Sequence, residues 1–472
     1  MSRPNIVVIM SDEHDPSVTG CGGSRFVHTP NIDRMAARGV RFANAYCNSP
    51  LCVPSRFSFW SGRYAHAVNA WDNGSPFPSS VPTIGNYLEA AGYDTYLAGR
   101  SHFVGRQGFG KRLLDSSYST KHPALNPPDR SPSFRRVRGN SHVTECGRSP
   151  TEPETELDRM TADFAVRFLT ERARRPGDWP WLLYVGFFRP HFPLLCEERY
   201  FDRYHPDRVE LPASRDQPIE TQHPVVQSVR RYFCNEGPLP EETVRTALAA
   251  YYGLVTFTDE LIGAVHRAAE AIDDTIVLYT SDHGENGGAH GMWQKHCFYE
   301  HAVRVPLVMC GPGVAAGGLV SAPVSLVDVL PTLLEISEQE SDPSLPGTSL
   351  MPLATGGGSR AAALRDRPVF SEYHAWGMER AGYMLRKGDH KLNYYVGHEP
   401  ELFDLAADPD EMTDVAASSA YAGVRAELTE GLRSIVDPES IDDRARANQR
   451  RSGLSRYEVP LLYRQSLAGN GS

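Results

Sequence analysis

The residues best able to do chemistry stand at the ends of apolar runs. Asp12 follows NIVVIM, Asp282 and His283 follow TIVLYTS, and His191 follows WLLYVGFF. Carboxylates converging from neighbouring strands are what a hard divalent cation requires, so the set fits a shared metal. Taken singly, each aspartate reads equally well as an N-cap or a turn residue. A second grouping is SPLCVPSRFSFWSG, residues 49–62, where Cys52 stands two residues before Pro54 and four before Arg56. Alone, Cys52 is a small buried hydrophobe. As a thiolate nucleophile it needs a base and an electropositive pocket. Arg56 lies one helical turn on if Pro54 opens a helix, a placement that would lower the thiol pKa.

Elements of a recognisable kind must position these residues. NIVVIM is short, continuous and branched, which suits a strand buried on both faces of a parallel sheet. TPNIDRMAARG, residues 29–39, predicts a helix with Ile32, Met35 and Ala36 on one side and a glycine stop, and VRFANAY predicts the next strand. A helix from about Thr83 and a strand through Tyr96 and Leu97 repeat the theme. WLLYVGFFRPHFP, TIVLYTSDHGE and VPLVMCGPG each run from an apolar strand into a polar or glycine-rich loop. The alternation predicts an α/β fold, a doubly wound, mostly parallel sheet sandwiched by helices, with ligands bound beyond the carboxyl ends of its strands. Residues 105–153 and 195–240, rich in Pro, Ser and Arg, read as long excursions over the site. LATGGGSRAAALRDRP reads as a linker. It divides a catalytic domain, 1–365, from a C-terminal α+β subdomain, 366–472, with tightly turned antiparallel strands and a helix from about Tyr421 to Ile435.

The 472-residue chain carries a net charge of -10, with pI near 5.9, which argues against an extended nucleic-acid or anionic-membrane surface but allows a local basic pocket. Its eight cysteines form no CxxC pair, so neither a structural zinc site nor a disulfide framework is expected. The leading apolar run is too short for a signal core or a membrane span, and a soluble, cytoplasmic protein is expected. GRQGFGK, residues 105–111, has P-loop spacing, but Arg112 replaces the magnesium-binding Ser/Thr and no strand leads into it. No G-x-S-x-G elbow supports a serine esterase. Arg135, Arg136 and Arg138 read as a solvated basic loop. The tail LSRYEVPLLYRQSLAGNGS carries an apolar patch that would dock on its own core or on a second subunit, allowing a homo-oligomer.

CVPSR, residues 52–56, resembles the C-x-P-S-R signature of the type I, formylglycine-dependent sulfatases of the alkaline phosphatase superfamily. WSGR resembles the auxiliary part of that signature, with Ser61 in place of threonine. RPNIVVIMSDEH, HTPNIDRMAARGVRFANAY, AGYDTYLAGRSHF, TSDHGE and ELFDLAADPDE resemble further landmarks in the family's order, so the resemblance covers most of the chain. SPLCVPSR, SHFVG and the Asp282–His283 pair look most like choline-sulfatase-like and phosphonate monoester hydrolase-like members.

The resemblance implies that a maturation enzyme oxidises Cys52 to formylglycine before folding is complete. It implies one divalent metal, calcium with manganese or magnesium as alternatives, held by Asp12, residue 52, Asp282 and His283. Glu13 stands where many members have a second aspartate ligand. Arg56, Arg100 (in a place usually held by lysine) and Lys295 would hold the sulfate oxygens, and His191 or Lys295 would protonate the leaving alcohol. One hydroxyl of the hydrated aldehyde would attack sulfur, and His102 would deprotonate the second to expel sulfate. His290 and His296 are expected to line the site, and Trp71, Asp72 and Asn73 to contact the substrate. That substrate is expected to be a small organosulfate or a sulfated carbohydrate. Choline would need an aromatic or acidic cage, and no tryptophan occurs between Gly110 and Trp179. Two other functions stay open at this point: a phosphonate or phosphate ester hydrolase on the same fold, and a non-catalytic sulfate-ester binder in which Cys52 is unconverted.

Overall fold

The structure is a computed structural model that describes residues 3–102, 107–115, 130, 139–150, 152–175, 177, 179–357 and 359–458. Its large sheet contains β1 (Asn5–Asp12), β2 (Val40–Phe42), β3 (Asp94–Gly99), β4 (Lys111–Asp115), β5 (Trp181–Pro190), β6 (Thr275–Ser281), β7 (Leu307–Cys310) and β8 (Gly318–Val320). Their spatial order is β8-β2-β7-β6-β1-β5-β3-β4. The run from β6 to β4 is parallel throughout, while β7, the VPLVMC strand, lies antiparallel to both its neighbours. VRFANAY divides: Val40–Phe42 joins the large sheet, and Ala45–Tyr46 joins a separate three-stranded one.

The branched run of β1 is buried on both faces, as a central parallel strand must be. Ile6, Val8 and Met10 enter one core, and Val7 and Ile9 enter the other. Burial of each such side chain contributes roughly 1.5–3 kcal/mol. The first core also receives the helices Cys52–Ser61, Ile84–Ala90 and Val329–Ile336. The second receives Pro30–Arg38, Pro153–Arg174 and Glu241–Glu270. This is the expected helix–sheet–helix sandwich.

A second, antiparallel sheet follows in meander order: β9 (Val369–Tyr373), β10 (Gly382–Lys387), β11 (His390–Tyr395) and β12 (Glu401–Asp404). The helix Ala422–Ile435 packs on it through Leu428 and Leu432.

Two expectations need correction. The presumed linker, residues 353–368, begins inside the helix Met351–Ala354 and contains the helix Ser359–Arg365, whose Ala361 and Leu364 share a face and enter the first core. Residues 195–240 hold a helix, Pro224–Tyr232, whose Val225, Val226 and Val229 have helical spacing and are buried. Arg135, Arg136, Arg138 and most of the apolar tail lie outside the described residues. Among the described residues, no helix is long and apolar enough to cross a membrane.

Candidate active site

Because β6, β1, β5 and β3 are adjacent and parallel, their carboxyl ends set out in one row Asp282–His283, Asp12–Glu13, His191 and Arg100–His102. Gly99 lets β3 turn here: its φ is +90°, and a Cβ would fall 2.1 Å from the Gly186 carbonyl oxygen. Opposite the row, Cys52 opens the helix Cys52–Ser61, with Pro54 in the first turn, where its missing N–H removes no hydrogen bond. Every residue of that helix is buried, and Cys52 is 2% exposed.

Arg56 organises the centre. Its Nε donates to Asp282 Oδ2 at 2.7 Å and its Nη2 to Asp12 Oδ2 at 3.0 Å. Its Nη1 donates to the Arg100 carbonyl and the Tyr184 hydroxyl, both at 3.0 Å. Arg100 Nε lies 2.9 Å from Asp12 Oδ2 and donates to His102 Nε2 at 2.6 Å. Each aspartate thus turns Oδ2 to a guanidinium and Oδ1 toward Cys52, and Asp282 Oδ1 also accepts from the N–H groups of Glu13 and His283 at 3.1 and 3.0 Å. There, Cys52 Sγ lies 3.8 Å from Asp12 Oδ1 and 3.2 Å from His283 Nε2, which is 3.7 Å from either Oδ1. One donor atom from each of Asp12, Cys52, Asp282 and His283 lies within 4.8 Å of the others. Two hard oxygens and an imidazole, oriented together, are a donor set that fits a divalent cation. Burial works against the Asp12 charge, yet the guanidinium groups of Arg100 and Arg56 hold its carboxyl well below the usual range.

The expected activation of the Cys52 thiol by Arg56 does not occur. Burial and then Asp12 push the thiol up to about 12, because the Arg56 charge is directed to two carboxylates. An unmodified cysteine here is therefore a neutral thiol at physiological pH.

A second group sits beside the first. Lys295 Nζ lies 3.0 Å from both Glu13 Oε2 and His191 Nε2. His191 donates from Nδ1 to the Phe192 carbonyl at 2.6 Å, which leaves Nε2 as an acceptor. Burial and Lys295 hold His191 neutral, and burial and Arg100 do the same for His102. Burial opposes the Lys295 charge, but the carboxylates of Glu13 and Asp12 raise its pKa above the ordinary value. Glu13, Asp12 and His191 also offer converging donors, but the Lys295 ammonium already occupies that side, so Glu13 serves Lys295. Glu13, His102, Gln294 and His296 adopt left-handed φ of 67°, 66°, 65° and 79°, a concentration of backbone strain typical of functional loops.

Several supporting residues had escaped sequence reasoning. Glu285 Oε1 accepts from the N–H groups of Gly287 and Gln294 at 2.9 and 2.6 Å, and Asn286 Nδ2 donates to the Gln294 carbonyl at 2.7 Å. Together they close the loop that carries Lys295. Arg189 Nη1 donates to the carbonyls of His191 and Pro193 at 3.0 and 2.8 Å, and Asp158 accepts from the Phe188 and Arg189 N–H groups. Glu285, directly after Asp282–His283–Gly284, offered a signal. Asp158, in mid-helix, offered none.

Trp71, Asp72 and Asn73 adjoin the start of the Cys52 helix. Asn73 Oδ1 accepts from the Val53 N–H at 3.0 Å, and Trp71 packs on His374 with ring centroids 5.0 Å apart. Both Asp72 oxygens are taken by protein donors, Gly74 N–H at 2.7 Å and Gln449 Nε2 at 3.0 Å, which makes Asp72 a brace. His290 stacks on Tyr299 at 4.0 Å, and His296 on Phe233 at 4.3 Å.

The sequence profile of the Sulfatase family matches residues 4–338. The chain belongs to the sulfatase family. It is accordingly a sulfuric ester hydrolase. A second profile, described as N-sulphoglucosamine sulphohydrolase, C-terminal, matches residues 288–437 of this sulfatase. Among relatives, a choline-sulfatase of Rhizobium meliloti (strain 1021) is 33% identical over 468 residues, covering 95% of this chain and 90% of its own. Arylsulfatase K of Homo sapiens is 31% identical over 458 residues, covering 92% and 82%. Among solved structures, the phosphonate monoester hydrolase of Agrobacterium radiobacter superposes with a TM-score of 0.74 at 25% identity, covering 92% of this chain and 95% of that one. A 2-O GAG sulfatase superposes with a TM-score of 0.70 at 25% identity, covering 95% and 94%.

Proposed function

We propose that this sulfatase acts through a formylglycine made from Cys52 by a maturation enzyme, with one divalent cation, calcium by its oxygen-rich donor set, held by Asp12, residue 52, Asp282 and His283. The observation that carries the reading is the common orientation of those four donors around residue 52 at the start of a buried helix. When in place, the cation and the aldehyde together supply a polarised oxygen nucleophile, which a buried thiol cannot.

The side chains do the rest. Arg56 fixes the two aspartates so that Oδ1 of each faces inward. Arg100 and Lys295 bind sulfate oxygens and offset charge that develops on them. Three carboxylates, Asp12, Glu13 and Asp282, face three cations, Arg56, Arg100 and Lys295, so the divalent cation would supply the positive charge that makes the centre complementary to an anion. Lys295 carries a proton on Nζ beside His191 Nε2, and this pair delivers the proton to the departing alcohol oxygen. His102, held neutral, accepts a proton at Nε2 once Arg100 turns its donor to the substrate.

The substrate is a small organosulfate or a sulfated carbohydrate. The nearby rings of Phe188 and Phe192 already hold Arg100 and Lys295, at 4.4 and 5.2 Å, and so do not form a cage for a quaternary ammonium. A second reading, a phosphonate ester hydrolase, is favoured by the Asp282–His283 donor pair and the likeness to a phosphonate monoester hydrolase.

The test is mass spectrometry of the tryptic peptide from Phe42 to Arg56, from a host able to make formylglycine, with turnover of matched aryl sulfate and aryl phosphonate esters. An aldehyde at position 52 and faster sulfate turnover are expected. Unmodified cysteine in active protein would overturn the nucleophile, and faster phosphonate turnover would overturn the substrate class.

A further inference from the structure

The loop after the Cys52 helix is tied to the far end of the chain. Gln449, on the helix Pro438–Glu458, donates from Nε2 to Asp72 Oδ2 at 3.0 Å and to the His374 carbonyl at 2.8 Å. Asp72 turns its other oxygen onto the Gly74 N–H, and within that turn Asn73 Oδ1 accepts from the Val53 N–H at 3.0 Å. Val53 is the second residue of the Cys52 helix, whose first N–H groups have no acceptor within the helix. The residue before the helix, Leu51, offers no side-chain cap. Asn73 therefore supplies the missing cap from outside, one residue from position 52.

Gln449 is itself held in place. Its Oε1 lies 3.5 Å from Arg130 Nη1, and Arg130 Nη2 pairs at 2.8 Å with Asp442, two turns earlier on the same face of the helix. Arg130, Asp442, Gln449 and Asp72 are 8%, 0%, 5% and 2% exposed. A buried polar chain of this kind fixes one arrangement, because each member left unpaired is costly.

We infer that Gln449 is a positioning residue for the reaction: through Asp72 and Asn73 it sets the first turn of the Cys52 helix, and with it the direction in which residue 52 meets Asp12, Asp282 and His283. The inference rests on residue 52 being the reacting position. Gln449 touches none of the reacting groups. A displacement of about 1 Å at a reacting atom is enough to slow a reaction about 10²-fold, whereas one lost cap barely moves the melting temperature.

The experiment compares Gln449→Leu, Gln449→Glu, Asp72→Asn and the pair Asp72→Asn/Gln449→Glu, in which donor and acceptor change places. Turnover is divided by the formylglycine content of each preparation, and melting temperature is recorded alongside. Gln449→Leu is expected to lower kcat by roughly 10- to 100-fold with KM nearly unchanged. Gln449→Glu alone, which sets two carboxylates against each other, should be no better. The pair should recover most of the loss, a coupling that a merely structural role would not show. Wild-type kcat in folded Gln449→Leu would overturn the inference, as would a pair no better than the two single changes combined. Wild-type protein that turns over without formylglycine would defeat the proposed nucleophile instead, and the same variants then test the clamp on turnover directly.

Discussion

Two buried clusters of charge use the same kinds of side chain and differ in what each leaves unused. Between the two sheets, Lys391 Nζ reaches Glu300 Oε1 at 2.9 Å, Glu411 Oε1 at 2.5 Å and the Phe298 carbonyl at 2.8 Å, and Arg386 pairs with Glu300 Oε2 at 3.2 Å. Here the ammonium donates to the Phe298 carbonyl and to Glu300, and Glu411 lies against it as an ion pair. At the carboxyl ends of the large sheet, Arg56, Arg100 and Lys295 also pair with carboxylates. There, however, Oδ1 of Asp12 and of Asp282, Cys52 Sγ and His283 Nε2 gather around one point, and His102 Nδ1 has no hydrogen-bond partner among the described residues. In the first cluster the carboxylates turn to their own cations, whereas in the second a converging set of donor atoms stands beside the ion pairs. Burial and charge do not separate a junction from a reaction centre; the orientation of the remaining lone pairs does.

Substitutions sharpen that contrast. Cys52→Ala should lower turnover by on the order of 10⁴-fold or more, while thermal unfolding shifts by only a few degrees. Equal turnover in the variant would erase the distinction. Arg56→Met leaves Asp12 and Asp282 without their shared cation, and is expected to remove activity and about 3–5 kcal/mol of stability together. Lys391→Met should cost a similar amount of stability, yet leave kcat of the folded protein intact. Denaturant unfolding and turnover, measured on the same samples, check both, and a large kcat loss in Lys391→Met would break the comparison. Chelation should abolish turnover and lower the melting temperature in wild type and Lys391→Met alike, with calcium restoring both. At a hundred times Kd that restoration is worth about 2.7 kcal/mol.

The smallest effect concerns Glu401 in the antiparallel sheet. Burial lifts its carboxyl to about 7, while it accepts from Asn393 Nδ2 and the Tyr395 hydroxyl. Between the ordinary carboxylate range and that value the folded state binds more protons than the unfolded state, so stability falls as pH rises through the interval. Glu401→Gln keeps an acceptor and cannot ionise. Relative to wild type it should gain about 1–3 kcal/mol between pH 5 and pH 8. Urea midpoints at the two pH values decide this, and an unchanged difference would show that Glu401 ionises freely.

Much of the site was legible in the sequence because strand ends announce themselves. NIVVIM, TIVLYTS and WLLYVGFF each stop at a polar residue, and adjacency of β6, β1, β5 and β3 then brings those residues together. What was not legible depends on contacts between distant segments. The Cys52 thiol is governed by how Arg56 divides its donors between two carboxylates, which no spacing reveals. Asp72 looked able to meet a substrate, and its occupation by Gln449, 377 residues away, could not be foreseen. The Ser359–Arg365 helix was hidden by the glycines before it, although Ala361 and Leu364 carried a helical spacing.

The sequence separation across the centre also sets a clock. Cys52 and His283, whose atoms lie 3.2 Å apart in the folded protein, are 231 residues apart in the chain. At about 5–20 residues per second of synthesis, roughly 10–50 s pass between the appearance of the thiol and that of the imidazole that closes over it. During that interval position 52 stands on an open chain, and afterwards, at 2% exposure, only a molecule small enough to enter the site reaches it. A protein that must grasp the chain around residue 52 therefore has its opening before the strands that bear Asp12 and Asp282 close together.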